Sequence, residues 1–240
     1  MKKVIKLTEE DLKKIVKRVL QEQTFPGTSS LENMGYKDIH PTNPELKIEP
    51  EYPDTSLTKN AKNWKELYDI LVKNKKIRNG VPMMIVWGPT QKMYYTKDGK
   101  TLNRELKVST GAGGFGNTSQ GKLTSTGLME VSDKIKAPKK YQVLISKTPT
   151  NIVLGPNIDS TRKDSKGRNH SAEVLTGILG LIGLEPFNKN VASRAIYVHG
   201  TNKEKGLGGK HSNGCIRVSN DNILYLLNSV PIGTKLYVKP

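Results

Sequence analysis

Cys215, the only cysteine of the 240-residue chain, lies in a glycine-rich stretch near the C-terminus that also contains histidines. The stretch reads H-G-T at 199–201 and K-H-S-N-G-C-I-R at 210–217. A cysteine attacks a carbonyl carbon only as a thiolate, so it needs a nearby base or cation and a group that orients that base. These residue types indicate cysteine acyl transfer, although a single cysteine is also typical of a small buried hydrophobic side chain.

His199 is the candidate base, because it follows a run at 194–198 whose alternating apolar residues predict a strand. Gly200 comes next, where a turn can begin, so the imidazole is expected at a strand end that faces a loop. Gly214 allows close approach of the backbone to a substrate, and backbone N–H groups around Cys215 are suited to bind an oxyanion. Spacing alone leaves a catalytic thiol and a buried one as equal alternatives.

The order of short motifs resembles the L,D-transpeptidase (YkuD-like) catalytic domain family. These motifs are H-G-T, G-L-G-G at 206–209, H-S-N-G-C-I-R-V at 211–218 and P-I-G-T-K-L-Y-V at 231–238. Upstream, S-T-G-A-G-G-F-G-N at 109–117 and L-T-S-T-G-L-M-E-V at 123–131 are similar to another stretch of the family. Together the motifs cover most of residues 81–240, and the one around the cysteine is the most specific.

This resemblance implies roles for the motif residues. The family forms an acyl-enzyme on peptidoglycan stem peptides, which makes Cys215 the nucleophile and His199 the base. The backbone carbonyl of Gly200 is then expected to orient the imidazole. Arg217 matches a frequent arginine of the motif, for which a structural ion pair and a carboxylate-binding role are equal alternatives.

The oxyanion side of the site departs from the family pattern. Ser212, Asn213 and Gly214 are expected to line it, but the family usually has S-H-G-C, and here Asn213 stands where the second histidine would be. An asparagine amide can donate to an oxyanion but cannot transfer a proton. His211 is the candidate substitute, although a shift of one residue along an extended chain turns a side chain to the opposite face.

Charge and composition constrain the partners. The formal net charge of +17, from 39 basic and 22 acidic residues, predicts a polyanionic partner. Nucleic acid is disfavoured because the chain has no RNP, KH or zinc-finger signature, whereas a cell wall with anionic polymers suits the charge. No apolar run reaches the roughly eighteen residues that span a bilayer. The histidine and cysteine spacing fits no zinc motif, so neither a metal nor another cofactor is expected.

The N-terminal quarter predicts two segments outside the catalytic domain. Residues 1–23 have apolar positions at helical spacing without a secretory signal, which predicts an amphipathic helix. Packing on its own domain and docking to a partner are equal alternatives for it, and binding to a membrane surface is a weaker one. Residues 24–58 contain five prolines and six acidic residues against two basic ones, as expected of an extended linker.

From residue 59 the chain predicts one helix and then a mainly β, β-sandwich-like domain with few helices. The helix at 59–80 is expected to pack on the catalytic domain at 81–240. The predicted strands are Met83–Trp87, Lys92–Thr96, 105–109, 128–131, 141–146, 151–154, 195–199 and Lys235–Lys239, with a hairpin at Asp98-Gly99. Further helices are predicted at 172–184 and Asn220–Ser229, with His170 as a surface or capping residue before the first.

Two functions from different classes fit these observations. One is an enzyme that forms or cuts peptidoglycan peptide bonds through an acyl-Cys215 intermediate, and the other is a non-catalytic wall-binding module that keeps the fold. The substrate would lie outside the cytoplasmic membrane, so the missing signal sequence suggests another secretion route or delivery by a bacteriophage. Under the phage hypothesis, residues 1–23 dock the chain to other virion proteins and residues 24–58 provide reach.

Overall fold

A computed structural model describes residues 57–163, 166–170 and 172–240, all within the compact unit Glu49–Pro240. The predicted helix at 1–23 and nearly all of the linker at 24–58 lie outside the described residues and stay predictions. The two α-helices among the described residues are α1 (Trp64–Lys73) and α2 (Asn220–Ser229). Neither of them is long and apolar enough to cross a membrane.

The described residues also contain twelve strands. They are β1 (Met83–Trp87), β2 (Lys92–Thr96), β3 (Leu102–Lys107), β4 (Thr110–Gly111), β5 (Gly127–Lys136), β6 (Gln142–Ile145), β7 (Thr148–Val153), β8 (Val174–Gly183), β9 (Tyr197–Thr201), β10 (Lys210–Ser212), β11 (Ile216–Val218) and β12 (Lys235–Lys239). The prediction of a mainly β domain with few helices is therefore confirmed.

Ten of the strands form one sheet in the order β11-β9-β8-β5-β12-β1-β2-β3, to which β6 adds by pairing with β8 and β7 by pairing with β6. The pairs β1/β12 and β9/β11 are parallel, and the others in this sheet are antiparallel. Strands β4 and β10 form a separate parallel pair. The strand that ends in the H-G-T motif thus lies next to the strand that follows Cys215.

Apolar side chains cover both faces of the sheet, as β1 shows. Met84 and Val86 belong to the large core cluster into which α2 packs. Met83 and Ile85, which alternate with them, belong to a second cluster with the apolar face of α1. Because successive side chains of a strand point to opposite faces, β1 is buried on both sides. This two-sided cover makes the sheet a rigid base for the loops that follow its strands.

Most predicted elements agree with the structure, and one is wrong. The bounds predicted for β1, β2, β12 and α2 are those observed, and the Asp98-Gly99 hairpin joins antiparallel β2 and β3. Residues 172–184, predicted as a helix, instead contain β8, which pairs with β5, β6 and β9. Seven consecutive residues of β8 are buried, and such an apolar run does not distinguish a central strand from a buried helix.

Candidate functional site

His199 is held by its own strand and by the carbonyl that follows it. It lies within β9 and is only 4% exposed. Its Nδ1 lies 2.7 Å from the carbonyl oxygen of Gly200. A carbonyl oxygen can only accept a hydrogen bond, so Nδ1 carries the proton and Nε2 keeps its lone pair. The imidazole is therefore in the tautomer that can accept a proton at Nε2.

The parallel pairing of β9 and β11 places Cys215 on the same side of the sheet as His199. Ile216 lies opposite Val198, and Arg217 lies opposite His199. Since side chains alternate along a strand, Cys215 and Arg217 share one face with His199, while Ile216 and Val198 enter the core. Sheet register therefore brings together two residues sixteen positions apart in the chain.

Cys215 and His199 line one cleft of about 270 Å³. Cys215 is partly exposed there, and its thiol donates a hydrogen bond of 3.2 Å to the carbonyl oxygen of Ala195. Among the described residues it makes no hydrogen bond to His199. The cleft thus holds a resting thiol that must leave the Ala195 carbonyl before its proton can pass to the imidazole.

Burial sets the protonation states of both groups. It lowers the pKa of His199 to about 4, with the positive charge of Arg217 acting in the same direction and the Gly200 hydrogen bond opposing it. Burial raises the pKa of the Cys215 thiol, against the backbone N–H of Tyr197 and the charges of Arg217 and Arg194. At neutral pH the site therefore holds a neutral imidazole and a neutral thiol.

A turn closed by Ser212 fixes the backbone before the thiol. The buried Ser212 hydroxyl accepts a hydrogen bond from Gly214 N–H at 3.0 Å and donates one to the carbonyl oxygen of Cys215 at 2.6 Å. Gly214 has φ +126°, and a Cβ there would lie 2.9 Å from the carbonyl oxygen of Leu123. Only glycine fits this position without strain, and its N–H is already engaged by the serine.

Asn213 and His211 occupy different places. Asn213 is exposed and lines both the thiol cleft and a larger neighbouring cleft of about 1040 Å³. His211 is also exposed, but it lines the larger cleft and not the thiol cleft. The asparagine amide is therefore the better placed of the two for contact with a group bound at the thiol.

Arg217 is buried beside this pair and supplies its main charge. Its Nη1 donates to the carbonyl oxygen of His211 at 3.1 Å. From the sequence, Arg217 is expected either to form a structural ion pair or to bind a carboxylate. It forms no ion pair among the described residues. Only 8% of its surface is exposed. Its guanidinium acts on the thiol and the imidazole as an unneutralised charge in a low-dielectric setting.

The wall of the thiol cleft contains residues that sequence reasoning missed. Glu173, on the stretch predicted as a helix, binds Arg162 through two hydrogen bonds of 2.9 Å. His170, predicted as a surface or capping residue, lies in this wall with its Nδ1 2.8 Å from Arg162 Nη2. Arg194 does not line this cleft, but its charge acts on the Cys215 thiol, and its Nη2 donates a hydrogen bond of 2.5 Å to the carbonyl oxygen of Leu123. These are contacts between distant segments, which local sequence patterns do not indicate.

Acidic, histidine and cysteine side chains do not gather as metal ligands in the described part of the chain. No group of three or more of these residues could hold a metal ion there.

Comparison with known families gives one extended match. Residues 82–238 match the family model YkuD, described as the L,D-transpeptidase catalytic domain. The match therefore covers more than half of the chain and includes both the H-G-T motif and the cysteine motif.

Individual relatives carry the same description. The "Probable L,D-transpeptidase ErfK/SrfK" of Salmonella typhimurium is 31% identical over 104 residues, which are 43% of this chain and 33% of the relative. The "Probable L,D-transpeptidase YcfS" of Escherichia coli is 31% identical over 147 residues, 61% of this chain and 40% of that protein. The matched segment is thus less than half of the length of each of these relatives.

Solved structures are similar at low identity. L,D-transpeptidase 3 from Mycobacterium tuberculosis, in complex with a faropenem-derived adduct, gives a TM-score of 0.42 at 18% identity over 67% of this chain and 60% of that chain. An L,D-transpeptidase from Xylanimonas cellulosilytica gives 0.37 at 17% identity over 70% of this chain and 67% of that chain.

Proposed function

The chain belongs to the YkuD family of L,D-transpeptidase catalytic domains, and from this membership we propose that it transfers acyl groups of peptidoglycan stem peptides through a thioester on Cys215. The observation that carries the proposal is the shared cleft of Cys215 and His199, on one face of paired strands. The Gly200 carbonyl leaves Nε2 of His199 as the proton acceptor. No cofactor enters the reaction.

The first half-reaction forms the thioester. Nε2 of His199 takes the thiol proton as the sulfur of Cys215 attacks the carbonyl carbon of the substrate amide. The tetrahedral oxyanion collapses, the C–N bond breaks, and the departing amine takes the proton from the imidazolium. Because both groups are neutral at rest, proton transfer accompanies the attack, and the Arg217 charge stabilises the thiolate character that develops.

The second half-reaction regenerates the thiol. An acceptor amine attacks the thioester carbonyl, His199 takes the amine proton, and the sulfur leaves and recovers its proton from the imidazolium. Water in place of the amine gives hydrolysis by the same steps. The side-chain amide of Asn213 is the proposed oxyanion donor, together with a backbone N–H near Cys215, because the Gly214 N–H already donates to Ser212.

Acylation by a carbapenem tests the nucleophile. Its strained amide is a substitute for the substrate carbonyl, and the expected result is one covalent adduct on the intact protein by mass spectrometry. Cys215→Ala should give no adduct, and His199→Gln should acylate at least 100-fold more slowly, as expected for loss of a general base. An unmodified wild-type protein would favour the wall-binding module, for which Asn213 and the Ala195-bound thiol are the supporting observations.

Digestion of purified peptidoglycan tests the substrate class. Incubation with the wild-type protein should change the muropeptide profile, with cross-linked or exchanged products if an amine is the acceptor and shortened stem peptides if water is. Cys215→Ala supplies the background profile. A protein that forms the carbapenem adduct but leaves the muropeptides unchanged would keep the nucleophile and reject the stem peptide as substrate.

Delivery by a phage particle, with residues 1–23 as the docking segment, is a separate proposal supported by the amphipathic pattern alone. Particles purified from a producing host should contain the chain, and a chain that begins at Lys59 should be absent from them. Assembly of that shortened chain would contradict the docking role.

A further inference from the structure

A second, larger cleft adjoins the thiol cleft and is strongly basic. It has a volume of about 1040 Å³ and shares His170, Ala172, Asn213 and Arg217 with the smaller cleft. Among the described residues, the charged groups that line it are Lys122, Arg168, Lys203, Lys205, Arg217 and a single acid, Asp159. Five cations against one carboxylate leave a formal excess of four positive charges, and the acyl-transfer steps proposed above use only Arg217.

From this charge we propose that the larger cleft binds a linear phosphodiester polymer of the polyol-phosphate class and so holds the protein beside its substrate. Lys203 is neutralised in the cleft through its ion pair with Asp159. Lys122 and Lys205 are exposed and form no ion pair among the described residues. A cleft with one sign of charge concentrates its field on a polyanion.

The chemistry of the lining favours phosphodiesters over carboxylates. A carboxylate is best bound by the planar fork of an arginine, whereas lysines act as point charges and suit phosphate oxygens spread along a chain. Of the arginines in the lining, Arg217 already donates to the His211 carbonyl oxygen. A short peptide with one or two carboxylates would leave most of the excess charge without a partner.

The lining also distinguishes this polymer from nucleic acid. Proteins that bind single-stranded nucleic acid combine cations with aromatic side chains on which the bases stack. The described residues that line the larger cleft include no phenylalanine, tyrosine or tryptophan. The cleft therefore offers contacts to a charged backbone and none of the stacking surfaces that bases use.

Binding of labelled oligomers tests the proposal without any catalytic step. The probes are a glycerol-phosphate oligomer, a single-stranded oligonucleotide and an oligoglutamate of equal charge, measured by fluorescence anisotropy at several salt concentrations with Cys215→Ala. The glycerol-phosphate oligomer should bind at least tenfold more tightly than the other two. The logarithm of its binding constant should fall with the logarithm of salt concentration with a slope of about −2, as expected for about three displaced counterions.

The double variant Lys122→Gln/Lys205→Gln should bind about tenfold more weakly and lose about 1.5 units of that slope. Lys73→Gln/Lys100→Gln removes the same charge from exposed sites that line neither cleft, and it should bind like the parent. Equal loss in both variants, equal binding of the oligonucleotide or the oligoglutamate, or no binding at about 50 mM salt would each overturn the proposal. Because Cys215 is absent throughout, failure here is distinct from failure of acyl transfer.

Discussion

The hydroxyl of Thr176 donates a hydrogen bond of 2.6 Å to Oδ1 of Asn220, joining β8 to the first residue of α2 beneath the H-G-T strand. Thr176 lies in a bulge where β8 gains two residues on β9, between the pairs Leu175–Gly200 and Ile178–His199. Its φ is +69°, which is unfavourable for a β-branched residue. Bulges of this kind redirect side chains next to functional sites, and here the redirected strand faces His199.

Thr176→Val should reduce the free energy of unfolding by about 1–3 kcal/mol, because it leaves one buried and one partly buried polar group without partners. The groups are Oδ1 of Asn220 and the backbone N–H of Tyr141, which donates to the same hydroxyl at 2.9 Å. Urea unfolding measures the change. Thr176→Ser, which keeps the hydroxyl, is the matched control and should unfold within about 1 kcal/mol of the parent. A valine variant as stable as the serine variant would disprove the role of this hydroxyl.

His199 should make the folded state sensitive to acid. Its folded pKa of about 4 is lower than the ordinary value of 6.5, so the unfolded chain binds the proton more readily between these values. The neutral His199 side chain therefore stabilises the folded state fully above about pH 6.5. This contribution to the free energy of unfolding decreases by about 3 kcal/mol as the pH falls to about 4.

Comparing variants isolates this contribution from that of other titrating groups. The decrease in the free energy of unfolding between pH 7 and pH 4 should be about 3 kcal/mol smaller in His199→Gln than in the parent. Thr101→Ser changes an exposed side chain that carries no titrating group and should keep the parent's pH dependence. Parallel curves for all three proteins would show that His199 is not buried in its neutral form.

The sequence predicts the elements that have one polar face and also the short buried strand β1, but it fails at β8, whose buried apolar run is long enough to be read as a helix. Strand β2 alternates and α2 has an apolar stripe, so their bounds follow from periodicity. Strand β8 has no alternation because the sheet continues on both sides of it and both faces are covered. Its glycines also argue against a helix, and a Cβ at Gly177 would lie 2.4 Å from Leu227.

Within the site, the sequence predicts what lies on one strand or one turn. The Gly200 carbonyl next to His199 and the turn before Cys215 are local features. Of the predicted residues, the structure brings His199, Ser212, Asn213, Cys215 and Arg217 to one cleft. Arg194 and Glu173 reach the site through contacts with segments far away in the chain. Such contacts depend on the assembled sheet, so no local pattern could have identified them.

Loss of the Arg217 charge should make the Cys215 thiol harder to ionise. The guanidinium lowers the pKa of the thiol against the effect of burial, so Arg217→Gln should raise that pKa further. The rate of alkylation by iodoacetamide as a function of pH reports it directly, because Cys215 is the only cysteine.

Two controls separate charge from structure in this experiment. Arg217→Lys keeps the positive charge. The midpoint, which is the pH at which the alkylation rate is half of its maximum, should therefore stay closer to that of the parent. Arg104→Gln removes an exposed guanidinium that lies over the Tyr225 ring, and it should have no effect on the midpoint. A midpoint that moves equally in the lysine and glutamine variants would mean that Arg217 acts by packing and not by charge.

The ion pair between Arg162 and Glu173 should stabilise the wall of the thiol cleft far more than a surface pair would. The Glu173 side chain is 2% exposed and also accepts a hydrogen bond of 2.8 Å from the Ser160 hydroxyl. Glu173→Gln removes the charge that neutralises Arg162, and a buried charge left without its partner is costly. We expect a loss of about 2–4 kcal/mol in the free energy of unfolding, measured with urea at pH 7.

Glu105→Gln is the matched control, since it breaks the ion pair with Lys92 in which both side chains are about 40% exposed. That substitution should change the free energy of unfolding by less than about 1 kcal/mol, because water and salt screen exposed charges. Raising the salt concentration should shrink the small effect of Glu105→Gln and leave the larger effect of Glu173→Gln nearly unchanged. If both substitutions cost the same and respond alike to salt, then the Glu173 carboxylate is not held in a dry wall of the cleft.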